Sequence, residues 1–168
     1  MDNSNMKHLR YLTTAGVLAA LIFISTYFLQ IKIGNGYIHP GDTFIYLAAC
    51  ILPTPYAAAA AAIGAALSDS LSFPIYIPAT LVIKAVMTLF FTYKSVKIIN
   101  KRNVIAIFLA GITGLIGYFL WEWIWFGLYP AAFDAFWGSL QPIGSGILFV
   151  LVGHALDKTN MKKHLKLN

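Results

Sequence analysis

Charge is what this sequence has least of. Only 11% of its 168 residues are Asp, Glu, Lys or Arg, where a water-soluble domain carries roughly a quarter, so an ordinary soluble fold is excluded. One cysteine, Cys50, leaves no partner for an internal disulfide and no thiolate cluster for a metal. Phosphate-loop, HExxH, CxxC and GxSxG patterns are all missing. No metal centre and no cofactor is therefore expected, and any nucleotide hydrolysis must come from another protein.

What is present is apolar: 59% of residues are hydrophobic and mean hydropathy is +0.73. About 20 apolar residues cross the hydrocarbon of a bilayer as a helix. Charged and Pro/Gly-rich breaks divide the chain into six such stretches, at about residues 11–31, 43–52, 56–71, 75–93, 104–128 and 143–156. The expected fold is all-α, a single multi-pass membrane domain over residues 1–168 with six transmembrane helices. The second and third stretches are short and separated by Pro53 and Pro55, so a re-entrant hairpin is the alternative to full spanning. Lys7 and Arg10 before the first stretch resemble the start of a signal peptide. The stretch is too long for one and no clear cleavage site follows, so it is read as a retained helix.

The net charge of +6 and pI near 9.5 would suggest nucleic acid in a soluble protein. Here they report orientation, since Lys and Arg favour the cytoplasmic side. With both termini cytoplasmic, Lys7, Arg10, Lys94, Lys97, Lys101, Arg102, Lys158, Lys162, Lys163 and Lys166 fall inside. Only Lys32, in an outer loop, and Lys84, within the fourth helix, do not. No nucleic-acid partner is expected.

This threading gathers acidic residues toward the outer face. Asp42 precedes the second helix, Asp69 lies near the outer end of the third, Glu122 in the outer half of the fifth and Asp134 in the last outer loop. Lys84 stands roughly 13 Å into the fourth helix at about 1.5 Å per residue. An ionisable group at such depth costs about 2.5–3.5 kcal/mol, so it must face protein or a wet cavity. One reading is that Lys84 pairs with Asp69 or Glu122 only to hold helices together. The other is that these groups contact a ligand in an outward-opening chamber.

Tyr118, Trp121, Glu122 and Trp125 share one helical face and suit a flat, partly polar ring, although Trp and Tyr also form interfacial belts. In the first outer loop, Tyr37, His39 and Asp42 stand among glycines that allow it to fold over a chamber. Asp42 could equally cap the second helix, and His39 could be merely solvated. Gln141, before the sixth helix, offers a donor and an acceptor at similar depth. Ala15, Gly16, Ala19 and Ala20 on the first helix are spaced for close helix approach in lipid, to a neighbour in the same chain or to an external partner. The third helix is similarly rich in alanine.

Ala15-x-x-x-Ala19, Gly36-Tyr37-x-x-x-Gly41-Asp42, Ser68-Asp69 and Pro78-Ala79-Thr80-x-x-x-Lys84, in this order across nearly the whole chain, resemble the S component of energy-coupling factor (ECF) vitamin transporters. The likeness is closest to the riboflavin, hydroxymethylpyrimidine and pyridoxine group. The resemblance implies a high-affinity vitamin-binding subunit in a prokaryotic plasma membrane. Its implied partners are a transmembrane coupling protein and two cytoplasmic ATPases, and it implies a protein that topples in the bilayer to carry its vitamin inward. It assigns coupling-protein docking to Ala15 and Ala19, and the chamber to the first outer loop and helices four to six. Pro40 stands where many relatives carry an aliphatic residue. Hydroxymethylpyrimidine or pyridoxine suits the mix of aromatic, acidic and single basic groups. Pantothenate would place its carboxylate on Lys84, and riboflavin would need a larger cavity. Competing classes are an intramembrane enzyme using Asp69, Glu122 and Lys84, and an assembly subunit without a ligand.

Overall fold

The computed structural model describes residues 3–164. The described residues are 80% helical: α1 (Asn3–Phe28), a hairpin of β1 (Ile31–Ile33) and β2 (Gly36–Ile38), α2 (Asp42–Ile51), α3 (Thr54–Ser72), α4 (Ile77–Thr88), α5 (Lys101–Phe126), α6 (Leu128–Gly138), α7 (Leu140–Lys158) and the short α8 (Met161–His164). Among the described residues, three stretches are long and apolar enough to cross a membrane: Ser4–Phe28, Lys101–Phe126 and Leu128–Lys158. Their large side chains face outward, Leu12, Phe108, Ile124 and Leu151 among them. A surface this apolar is stable only against lipid.

Helix boundaries follow local chemistry. Asn100 caps α5, its side chain accepting from Asn103 N at 3.1 Å, and Gly127 at φ 91° ends it. Pro53 and Pro55 separate α2 from α3, Pro55 sitting in the first turn, where its missing N–H costs nothing. Two expected loops are structured. Residues 31–38 form an antiparallel hairpin in register Ile31↔Ile38, Lys32↔Tyr37 and Ile33↔Gly36. Gly34 at φ 55° supplies the turn. Asp134, read as a loop residue, lies in α6.

The fourth helix, expected to reach residue 93, stops at Thr88. The segment from residue 89 to 100 is instead tied down by side chains from elsewhere. Asn103 donates to Thr92 O and Ile98 O at 3.2 and 2.9 Å. The Asp157 carboxylate accepts from the N–H groups of Ile98 and Ile99 at 2.7 and 2.9 Å. Lys162 donates to Tyr93 O and Ser95 O at 2.6 and 2.5 Å. These bonds replace the helical ones the segment forgoes.

α2 forms the centre. From Ile45 to Leu52 no residue is more than 4% exposed, as expected of a helix apolar on every side. α1, α3, α4 and α7 surround it. α1 and α3 run parallel, with His8 Nδ1 2.6 Å from Tyr56 Oη near one end and Gln30 Nε2 donating to Ser72 Oγ at 3.1 Å near the other. They are close enough that a Cβ on Gly64 would meet Ala19 O at 2.5 Å and Ile22 Cβ at 3.0 Å.

That contact bears on the two alternatives open for α1, a neighbour in the same chain or an external partner. Ala15 is 7% exposed in the core and Ala19 backs onto α3, while Gly16 and Ala20 face outward. Ala19 packs within the chain because α3 offers a complementary small surface at Gly64.

Candidate functional site

A chamber lies at the end of the bundle that carries the hairpin. α2 begins there, with Asp42 only 3% exposed. Asp42 Oδ1 accepts from Lys84 Nζ of α4 at 2.6 Å, and Oδ2 from Gln141 Nε2 of α7 at 2.7 Å. No side chain caps α2, so the capping role expected for Asp42 is replaced by this ion pair. The partner expected for Lys84, Asp69 or Glu122, is likewise corrected: α2 brings Asp42 alongside α4 and the other two acids lie elsewhere on the wall. Lys84 Nζ also lies 5.3 Å from the centre of the Tyr118 ring, within cation–π range. Tyr118 and Thr80 hydroxyls share a hydrogen bond at 2.9 Å. The floor thus joins four helices, and its one cation is neutralised by its one close anion.

The hairpin covers this floor and is latched to the wall. Tyr37 donates to Asp69 and stacks on Phe73. Asn35 N donates to Asp134 Oδ2 at 2.9 Å, and Tyr76 Oη lies 3.0 Å from Glu122 Oε1 and 3.1 Å from Asn35 O. Gly34 must be glycine for a second reason, since a Cβ there would overlap the Asp134 carboxylate. His39 N donates to Gln141 Oε1 at 3.2 Å, and His39 Nδ1 accepts from Gly41 N at 3.0 Å. Burial pushes the His39 imidazole down to about 4, with Lys84 adding to the shift and Asp42 opposing it, so it is neutral at pH 7. Burial, reinforced by Asp69, raises the Tyr37 hydroxyl far above its ordinary range and keeps it a donor.

Eight of the nine predicted binding residues therefore line one chamber: Tyr37, His39, Asp42, Asp69, Lys84, Tyr118, Glu122 and Gln141. Trp121 is not among its lining. Its indole Nε1 donates to Ile75 O at 3.2 Å and its ring lies beside Trp125. Ala15, Gly16, Ala19 and Ala20 stand apart on α1. Sequence reasoning missed Tyr76 and Asn35, and it left Asp134 outside the binding set. Their shared signal is position near the hairpin end, which only the unread hairpin and α6 reveal.

The chamber has a cavity volume of about 90 Å³, against roughly 10–15 Å³ needed for one water. The walls combine ring faces of Tyr37, Tyr76, Tyr118 and Phe119 with four carboxylates and one ammonium. Among the described residues, the buried oxygens Asp69 Oδ2 and Asp134 Oδ1 have no hydrogen-bond partner. A buried acceptor left bare costs about 1–3 kcal/mol, and both oxygens are shielded from the chamber, Asp134 Oδ1 by the hairpin turn at Gly34. No group of three metal-ligating side chains occurs among the described residues.

The family profile described as ECF-type riboflavin transporter, S component, matches residues 6–163. No curated protein matches the chain, and no solved structure does.

Proposed function

The chain belongs to the ECF-type riboflavin transporter S components, the substrate-binding membrane subunits of vitamin importers rather than enzymes, and from that premise we propose that its chamber takes a single-ring nitrogen heterocycle, hydroxymethylpyrimidine or pyridoxine. The observation that carries this reading is the surplus of acceptors. Lys84 is already held by Asp42, while Asp69, Glu122 and Asp134 share the same lining, and the two of their oxygens that lack partners are shielded until the hairpin shifts. A ring bearing amino, hydroxyl or protonated nitrogen donors satisfies that wall, and the tyrosine faces stack on its plane. The carboxylate of pantothenate would meet three acidic side chains and a lysine already paired. In this reading Tyr37, His39, Asp42, Asp69, Lys84, Tyr118, Glu122 and Gln141 contact the ligand.

Riboflavin is the second reading, favoured by the family's description. Its three fused rings would need the hairpin to lift, since the free space beneath it is modest. Titration of detergent-purified protein with hydroxymethylpyrimidine, pyridoxine, riboflavin and pantothenate, followed by calorimetry, separates the two. Tightest binding of one of the first two supports the proposal, and tightest binding of riboflavin supports the alternative. No saturable heat from any of them overturns the substrate class.

The same reading places the chain as one domain in a prokaryotic plasma membrane with both termini cytoplasmic. A transmembrane coupling protein and two ATPases are its partners. The exposed Gly16 and Ala20 edge of α1 is the surface offered to the coupling protein, because Ala15 is buried in the core and Ala19 backs onto α3.

A further inference from the structure

On the outside of the bundle, between α5 and α7, runs a second hollow of about 540 Å³, lined on one side by Val104, Phe108 and Ile112 and on the other by Ile147 and Leu151. Its lining is entirely apolar, and its helices are among those long enough to cross a membrane. Bilayer hydrocarbon fills such a hollow, because bare apolar walls forfeit their dispersion contacts. From Val104 to Leu115 the groove is about 16 Å long at about 1.5 Å per residue. That is close to half of the roughly 30 Å hydrocarbon layer, or one acyl chain of one leaflet.

The two ends differ. Lys101 lies three residues before Val104 and seven before Phe108, so it continues the α5 face of the groove. His154 and Lys158 follow Leu151 at three- and four-residue steps and continue the α7 face. All three are exposed. Asp157, their acidic neighbour, is engaged by the N–H groups of Ile98 and Ile99. The opposite end is blind and uncharged, closed by Gly111, Leu115 and Pro142, which also line the ligand chamber. A cationic mouth leading to an apolar blind end fits an amphiphile with an anionic head and a single extended tail in the groove.

We propose that this groove binds one anionic phospholipid of the leaflet at the basic end of the bundle, with its headgroup on Lys101 and Lys158 and one acyl chain reaching the partition behind the chamber. Gly111, Leu115 and Pro142 face both hollows, and α5 and α7 meet there, a Cβ on Gly111 coming within 2.8 Å of Pro142 Cβ. The chain tip therefore supports the chamber wall from outside.

Native mass spectrometry tests this on the full chain released from detergent containing phosphatidylglycerol or chain-matched phosphatidylcholine. The expected result is one retained phosphatidylglycerol, several-fold above phosphatidylcholine. Lys101→Gln with Lys158→Gln should reduce phosphatidylglycerol retention to the phosphatidylcholine level. Ile112→Trp, which fills the groove, should reduce retention of both. Circular dichroism melts identify variants that remain folded. Equal retention of the two lipids by the parent overturns the proposal, as does an undiminished preference in the folded lysine variant. Unchanged retention in folded Ile112→Trp overturns the placement of the tail.

Discussion

Replacing Lys84 by Met is the most informative single perturbation of this protein. The side chain is 1% exposed and its ammonium lies 2.6 Å from Asp42 Oδ1. Met keeps the approximate length of the stem and removes the charge. Asp42 would retain only Gln141, at 2.7 Å, as its donor in a buried setting. Breaking a buried pair from one side costs about 3–5 kcal/mol, or roughly 6–20 °C in melting temperature for a chain of this length. Adding Asp42→Leu removes the stranded anion. The double variant then bears mainly the unsatisfied Gln141 amide, about 1–3 kcal/mol, and should melt above the single variant. Ligand binding should be absent from both. Cys50 is the sole cysteine and fully buried, so a thiol-reactive fluorophore reports unfolding directly. If Lys84→Met melts within about 2 °C of the parent, the reasoning about an uncompensated buried carboxylate fails. If the double variant recovers ligand binding along with stability, the pair is structural only.

Other perturbations separate the remaining claims. His39 is held near 4 in the fold against about 6.5 when unfolded. Its contribution is complete above about pH 6.5 and is lost as pH falls from there toward 4, because the unfolded chain takes up the proton. Melting temperatures of the parent and His39→Gln should therefore diverge between pH 8 and pH 5, with the parent losing more. Parallel profiles would count against a neutral buried imidazole. Gly64→Val should lower stability by about 1–3 kcal/mol through overpacking against Ala19 O and Ile22, whereas Gly16→Ala, with nothing within 4 Å of its new methyl, should melt like the parent. Trp121→Phe should leave ligand affinity within about twofold in calorimetry, because its indole bonds to Ile75 O outside the chamber; a tenfold loss would put it in contact with the ligand. Gly16→Leu should lower vitamin uptake by cells while sparing binding by purified protein, and loss of both would show that docking and ligand surfaces are not separate.

The chamber was legible because burying charge in lipid leaves few solutions. Lys84, Asp69 and Glu122 had to face inward, and similar depth brought them toward one another. Their pairing was not legible. Asp42 reaches Lys84 only because α2 is short, central and wrapped by four helices, a packing fact without a local sequence sign. The hairpin did leave a sign. Ile31-Lys32-Ile33-Gly34-Asn35-Gly36-Tyr37-Ile38 alternates around a two-residue turn, yet a hydropathy reading absorbs its first residue into the preceding helix. α6 was hidden for a similar reason: Pro130 reads as a breaker, although in a first turn it is tolerated. The early end of α4 depended on Asn103, Asp157 and Lys162 arriving from distant parts of the chain.

The sealed position of α2 has a consequence for biogenesis. Ten residues make about 15 Å of helix, half a bilayer, so α2 cannot enter lipid as an independent segment when it leaves the ribosome. Its shelter is finished only by α7, whose Ser145 carbonyl receives the Thr43 hydroxyl at 3.1 Å and whose Gln141 holds Asp42. A nascent chain that stalls before Leu140 presents the insertion machinery with an orphaned apolar stub. Quality-control proteases should recognise such truncated products far more readily than the completed protein.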